Sequence, residues 1–179
     1  MSKPDQPDDR VAPVVRLEQL ARQVKDATEP TTLVSLATEL DAFGRTVAQE
    51  LAIRRDDPDL RRVLVYVPTL QSQALLRAAE GFDDRGSPRR AVYVLFEALR
   101  TAFDASVITT ISEALTLMLE ANGQPSASAT LRELLAAREQ HRAEGGKVGE
   151  VRARFSESVR QLRDSVDWGA LADPGEQFD

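Results

Sequence analysis

One histidine and no cysteine among 179 residues leave this chain little reactive chemistry. Disulfides, thiolate zinc sites, iron–sulfur clusters and cysteine nucleophiles are excluded together, and a multi-histidine metal centre cannot be built within one chain. His141 is the single candidate for a Ser-His-Asp arrangement. It stands in Arg138-Glu-Gln-His-Arg142, near the end of a predicted helix and off its apolar face, where an imidazole faces water and complements the helix dipole. The Glu-x-x-His pair of carboxylate-bridged di-iron bundles is missing, because Arg138 occupies the position three before His141. Carboxylates that work as acids or bases usually sit on an apolar stripe, where desolvation raises their pKa. Glu97, Glu113 and Glu120 flank such stripes without lying on them and read as solvated. No phosphate loop, dinucleotide-binding glycine motif or nucleophile elbow occurs. The expectation is a non-enzymatic chain with no catalytic, metal-ligating or cofactor-binding residue.

Two segments carry recognition chemistry instead. In Gly86-Ser-Pro-Arg-Arg90, Ser87 and the prolyl residue after it mark a helix start, and Arg89 and Arg90 fall in its first turn. Unpaired amide groups beside two guanidiniums make an anion site for phosphate or carboxylate, so Ser87, Arg89 and Arg90 are candidate anion-binding residues. The simpler alternative is pairing of these arginines with Asp83, Asp84 or a neighbouring helix. Arg54-Arg-Asp-Asp-Pro-Asp-Leu-Arg-Arg62 is balanced in charge and reads as a surface salt-bridge turn of little energetic value. The second segment lies near the C-terminal end. Val148, Val151, Phe155, Val159, Leu162 and Val166 step by 3, 4, 4, 3 and 4, a narrow seam suited to docking on the bundle or to pairing with another chain. Trp168 and Leu171 follow, then an acidic stretch with Phe178. These eight seam and post-seam residues are candidate partner-binding positions, and an aromatic amid negative charge suits a basic groove on a partner or on this chain itself.

The elements that must position these groups are helical. Pro13 starts a first helix with Val14, Leu17, Ala21 and Val24 on one face, and Thr28-Glu29-Pro30 stops it. Leu33, Leu36, Leu40, Phe43, Val47 and Leu51 define a second, over about 31–55. Asp57-Pro58 caps a third, to about Glu80. Within it, Val63-Leu-Val-Tyr-Val67 before Pro68 has the β-branched character of a short strand, as does Ala91-Val-Tyr-Val-Leu-Phe96. Helix is the reading for both, since two strands cannot organise so much helical spacing. Val92, Leu95, Phe96, Leu99 and Phe103 form the next face. Asp104 or Ser106 caps a fresh helix through Leu119, unless the two run on as one rod. After Asn122-Gly-Gln-Pro125, Ser126 or Ser128 opens a helix to about Ala143, Gly145-Gly146 breaks it, and the seam helix ends at a Gly169 cap. The fold class is all-α: a bundle or stacked hairpins of six to seven helices with a C-terminal amphipathic helix and a short acidic tail. The organisation is a disordered lead-in over 1–12, one helical domain over 13–168 and an acidic tail over 169–179.

Ala79, Phe82, Gly86, Ala91, Leu95 and Ala98 sit at the steps of a tetratricopeptide unit, and residues 72–105 resemble one such helical hairpin. The resemblance implies close backbone approach at the small residues and an interaction stack. A shift of 34 residues finds no neighbour, however: the small position falls on Pro125 going forward, and on Arg45 and Asp57 going back.

Net charge is −6, and Asp164, Asp167, Asp173, Glu176 and Asp179, with no basic residue among 164–179, account for −5 of it. The rest of the chain is nearly neutral, without the basic surface that nucleic acid or an anionic membrane requires. The longest apolar runs are far below the ~20 residues of a membrane helix, and the polar start lacks an export signal, so a cytoplasmic location is expected. Only Lys3, Lys25 and Lys147 are lysines among 23 basic residues, the bias of a GC-rich bacterial genome. The expected function is a protein-interaction module, an adaptor, scaffold or accessory subunit, binding a protein partner or itself. The alternative is a ligand-sensing domain with a pocket between bundle helices.

Overall fold

Seven helices follow one another in a computed structural model that describes residues 12–102 and 104–171. They are α1 (Pro13–Asp26), α2 (Pro30–Ile53), α3 (Pro58–Asp83), α4 (Pro88–Thr101), α5 (Ala105–Ala121), α6 (Pro125–Ala143) and α7 (Val148–Ser165). No strand occurs among the described residues, and the all-α bundle is the fold. The expected lead-in, save Ala12, lies outside the described residues, as do Phe103 and positions 172–179 of the acidic tail.

Both strand-like runs are helical. Val63 and Val67, four apart, are buried, while Val65 and Tyr66 point to solvent. Packing of one face therefore overrides the weak β preference of these residues. Pro68 is retained inside α3, where it lacks the amide that would bond back to the preceding turn. Asp57 caps α3 as its position predicts, its side chain accepting from the amides of Asp59 (3.0 Å) and Leu60 (3.2 Å). Asp104 likewise caps α5 through the amides of Ser106 and Val107, which separates α4 from α5. Its carboxyl is held below its ordinary pKa, first by the Ser106 hydroxyl and then by the two amides.

Helices α3, α5 and α6 end alike. Ser87, Gln124 and Gly146 donate backbone N–H groups to the carbonyls of Phe82, Leu119 and His141, closing three Schellman turns. Gly86, Gly123 and Gly145 supply the positive φ that these turns need.

Two expected boundaries move. α6 starts at Pro125 rather than at Ser126 or Ser128, because proline is preorganised for a first helical position. Ser128 is instead buried, with its hydroxyl 2.9 Å from Glu120. α7 ends at Ser165, short of Gly169, because the Asp167 side chain accepts from the amides of Gly169 (3.1 Å) and Ala170 (3.3 Å) and draws the chain into a turn.

α3 is the centre. It packs on α1, α2, α4 and α5, and α7 returns to lie on α4 as well as on α6. That return closes the arrangement, whereas an open stack keeps each hairpin against its sequence neighbours. The hairpin expected over 72–105 is present as the second half of α3 against α4, with Ala79, Ala91, Leu95 and Ala98 buried between them. Leu20, absent from the expected face of α1, is fully buried beside Val24. Arg77 of α3 donates to the carbonyls of Val24 and Ala27 (2.7 Å for the latter), tying down the α1–α2 turn. Among the described residues, no buried side-chain nitrogen or oxygen lacks a partner.

Candidate functional site

The start of α2, the end of α3, the start of α4 and the turn after α7 converge on one cleft of about 700 Å³. Its lining is Thr31 and Val34 from α2, Phe82 from α3, Arg89, Arg90, Tyr93 and Val94 from α4, and Trp168. Close packing sets its edge: a Cβ built on Gly81 would stand 2.6 Å from the Pro30 ring, so only glycine lets α3 approach the first residue of α2 this closely. Arg85 and Glu29 (2.8 Å) pair across the same junction.

Arg89, Arg90 and Tyr93 share one face of α4, as residues three and four apart must. The Arg90 guanidinium lies 6.0 Å over the Phe82 ring. Ser87 occupies the N-cap position of α4 but makes no side-chain capping bond, contrary to expectation. Its amide is committed to the turn closing α3, which holds the backbone at φ −110° and ψ 66°, outside the extended region that a capping serine adopts. Ser87 does not line the cleft, whereas Arg89 and Arg90 do.

Trp168 folds back. Its indole N–H donates to the Arg163 carbonyl (3.1 Å), and its ring meets Phe96 edge-on at 6.2 Å and Tyr93 at 6.0 Å. Leu171 is fully buried behind it, and the Gln124 side chain donates to the Asp167 carbonyl (3.2 Å). Arg163 joins the wall from behind, 5.5 Å over the Tyr93 ring and ion-paired with Glu97 and with Asp164 (3.0 Å). Burial opposes its charge, but the bonds to Asp164 and Glu97 outweigh that, and its pKa is raised.

The remaining candidates are placed differently. Val151, Phe155, Val159, Leu162 and Val166 are buried in the chain's own bundle, and Val148 is exposed. α7 thus lays its seam on α4 and α6. Of the post-seam residues, Trp168 alone presents surface to a cleft. His141 is half-buried rather than open to water, lodged with Leu134, Val151 and Phe155 between α6 and α7 beneath the turn at Gly146. Glu97, expected to be solvated, keeps 22% of its side chain exposed and bridges Arg100 (3.2 Å) and Arg163. Glu113 is exposed; Glu120 is held below its ordinary pKa by the Ser128 hydroxyl and then by Arg132. The segment 54–62 makes the expected salt-bridge turn, with Arg54 on Asp57 and Arg61 on Asp56 (3.0 Å).

Tyr93, Phe82, Thr31 and Val34 were not marked by sequence spacing as site residues. Tyr93 carried a signal: it is an aromatic on the polar side of α4, one turn beyond Arg89 and Arg90, and it is 49% exposed. Among the described residues, no group of three His, Asp or Glu side chains is placed to hold a metal ion, and no helix is long and apolar enough to cross a membrane. The class that these observations define is an all-helical bundle with an aromatic, arginine-edged cleft. No protein family, curated protein or solved structure matches the chain.

Proposed function

We propose that this chain is a non-enzymatic protein-interaction module, an adaptor, scaffold or accessory subunit, whose cleft takes a partner segment carrying acidic residues around an aromatic side chain. The carrying observation is the union of Arg89, Arg90, Tyr93 and Trp168 in one open cleft, whose other lining among the described residues is Thr31, Val34, Phe82 and Val94. Rings of Tyr93, Phe82 and Trp168 offer the flat, rigid surface on which an aromatic anchor gains most of its binding energy. The two guanidiniums supply bidentate donors for carboxylates. Two acidic groups on the neighbouring helices, Glu29 and Glu97, are paired with Arg85 and Arg163.

The test is fluorescence anisotropy of labelled peptides in which Asp and Glu flank a single Phe. Binding should weaken at least about tenfold when Tyr93→Ala or the pair Arg89→Ala and Arg90→Ala is introduced, a loss of about 1.4 kcal/mol or more. It should also weaken with salt. Equal affinity for a peptide with the acidic residues replaced by amides would refute the reading. Stabilisation by a small carboxylate or phosphate alone, with no peptide bound, would support the ligand-sensing alternative instead.

A further inference from the structure

We infer that the face formed by α1 and α3 is where two copies of this chain meet as a two-fold dimer, an inference that goes beyond the docking reading and does not depend on it. A groove of about 350 Å³ runs between the two helices and shares no lining residue with the cleft. Val14, Leu17, Ala21, Val63 and Leu70 make its apolar lining. The apolar surface continues outward, since Tyr66 on the rim is exposed, and so are Val65 and Val15, each next in sequence to a lining residue. Three of the seven large apolar side chains exposed among the described residues are thus gathered at one groove, which marks it as a contact surface.

Two charged side chains say what covers it. Glu18 of α1 and Arg62 of α3 both line the groove and are both exposed, and neither makes an ion pair with another described residue. They stand toward opposite ends. α1 and α3 run parallel, since Arg77, late in α3, holds the carbonyls of Val24 and Ala27 at the end of α1, while Val14, at its start, lines the groove with Arg62, Val63 and Tyr66. Counting back from the Arg77–Val24 bond at about 1.5 Å per residue puts Glu18 about 9 Å along α1 and Arg62 about 22 Å along α3, so roughly 13 Å separates them lengthwise. The midpoint falls near the level of Tyr66. A two-fold axis through that point exchanges the ends of the groove, so that Glu18 of each copy meets Arg62 of the other, with the Tyr66 rings and the flanking valines between the two ion pairs. The surface is therefore complementary in charge to itself. Arg62 is already held on this face, its guanidinium 5.9 Å over the Tyr66 ring. A contact built on two helix faces is smaller than an obligate interface, so the dimer should be reversible, with Kd of about 1–100 µM.

The experiment is sedimentation equilibrium of the full chain over about 1–300 µM, where the mass should climb from that of one chain toward that of two. Glu18→Arg sets two guanidiniums against each other at both ends of the interface, and Arg62→Glu sets two carboxylates there, so each variant alone should dimerise at least about tenfold more weakly. Mixed one to one, the two variants should associate as tightly as the native chain, because both ends again join opposite charges. The chain carrying both substitutions should do the same. Recovery in the mixture also rules out a folding defect as the cause of the single losses. The acidic peptide should bind the cleft equally in every one of these chains, which keeps a failure here distinct from a failure of the docking reading. A native chain that stays monomeric throughout overturns the inference, and protection of Tyr66 from hydroxyl-radical labelling in that monomer would give the groove to another part of the same chain. Single variants that dimerise like the native chain, or a mixture that fails to recover, overturn it as well.

Discussion

Replacing Leu171 by alanine should release the turn that carries Trp168 before it unfolds the bundle. Leu171 is 1% exposed, and alanine removes three buried carbons, about 2.4 kcal/mol at ~0.8 kcal/mol per methylene. A rigid core would add a cavity penalty and bring the loss toward ~5 kcal/mol. Here the chain is a turn outside any helix and can close over the gap, so about 2–3 kcal/mol is the expected size. Beside the Trp168 ring contacts with Phe96 and Tyr93, the restraints are the indole bond to the Arg163 carbonyl, the Gln124 bond to the Asp167 carbonyl, and two local bonds made by the Asp167 side chain. At roughly 1 kcal/mol net each, these bonds depend on the backbone that the apolar anchor fixes, so its loss makes this turn the first part of the chain to open. Tryptophan emission should therefore shift to the red at 25 °C, and the fluorescence transition should precede the loss of helical circular dichroism on heating. At about 2–4 °C per kcal/mol for a chain of this size, the helical melt itself should fall by no more than about 12 °C. Leu117→Ala, at a residue 66% exposed, is the control and should alter neither reading. Native emission together with a native melting curve for Leu171→Ala would refute the account of how the cleft wall is held.

Asp57→Ala should cost about 1 kcal/mol in urea unfolding, while Ser87→Ala should cost nothing measurable, since only Asp57 makes its capping bonds; equal losses would contradict the geometry. Gly81→Ala gains about 1 kcal/mol of helix propensity but drives a methyl into the Pro30 ring, which cannot rotate aside. The net result should be a lower urea midpoint and weaker peptide binding through displacement of Thr31, and a higher midpoint would show that the helices separate freely. Glu120, held below its ordinary value of 4.5 by Ser128 and Arg132, favours the folded state fully above that pH and loses its contribution as pH falls through the lower folded value. Glu120→Gln should accordingly flatten the acid limb of the stability profile, measured by denaturant midpoints, with a constant offset at higher pH; an unchanged acid limb would remove Glu120 from the account.

Helix placement was legible because punctuation and periodicity agree. Asp57-Pro58, Asp104 and the glycines at 86, 123 and 145 act through bonds between near neighbours, which spacing reveals directly. Misreadings arose where one group had two partners to choose from. Ser87 has the chemistry of a cap, yet its amide closes the preceding helix and bends the backbone away. Asp167 could have continued α7, but its carboxylate captured the next amides. The ambiguity of Val63–Val67 was settled by contacts with other helices, which no local window contains. The cleft was half legible: Arg89, Arg90 and Trp168 were singled out for separate reasons, and only the return of α7 to α4 brings them together.

The central place of α3 has a consequence for how this chain tolerates change. Apart from the stripe at Val65 and Tyr66, a helix hemmed in by four others has little room to absorb an added methylene, and its backbone amides should be the last to trade hydrogen for deuterium. α6, whose principal neighbours are α5 and α7, is the natural place for drift and for grafting an epitope or a dye at the loop over 144–147. Divergence among sister sequences would then be banded, with a slow mast at α3 and a fast outer rail at α6.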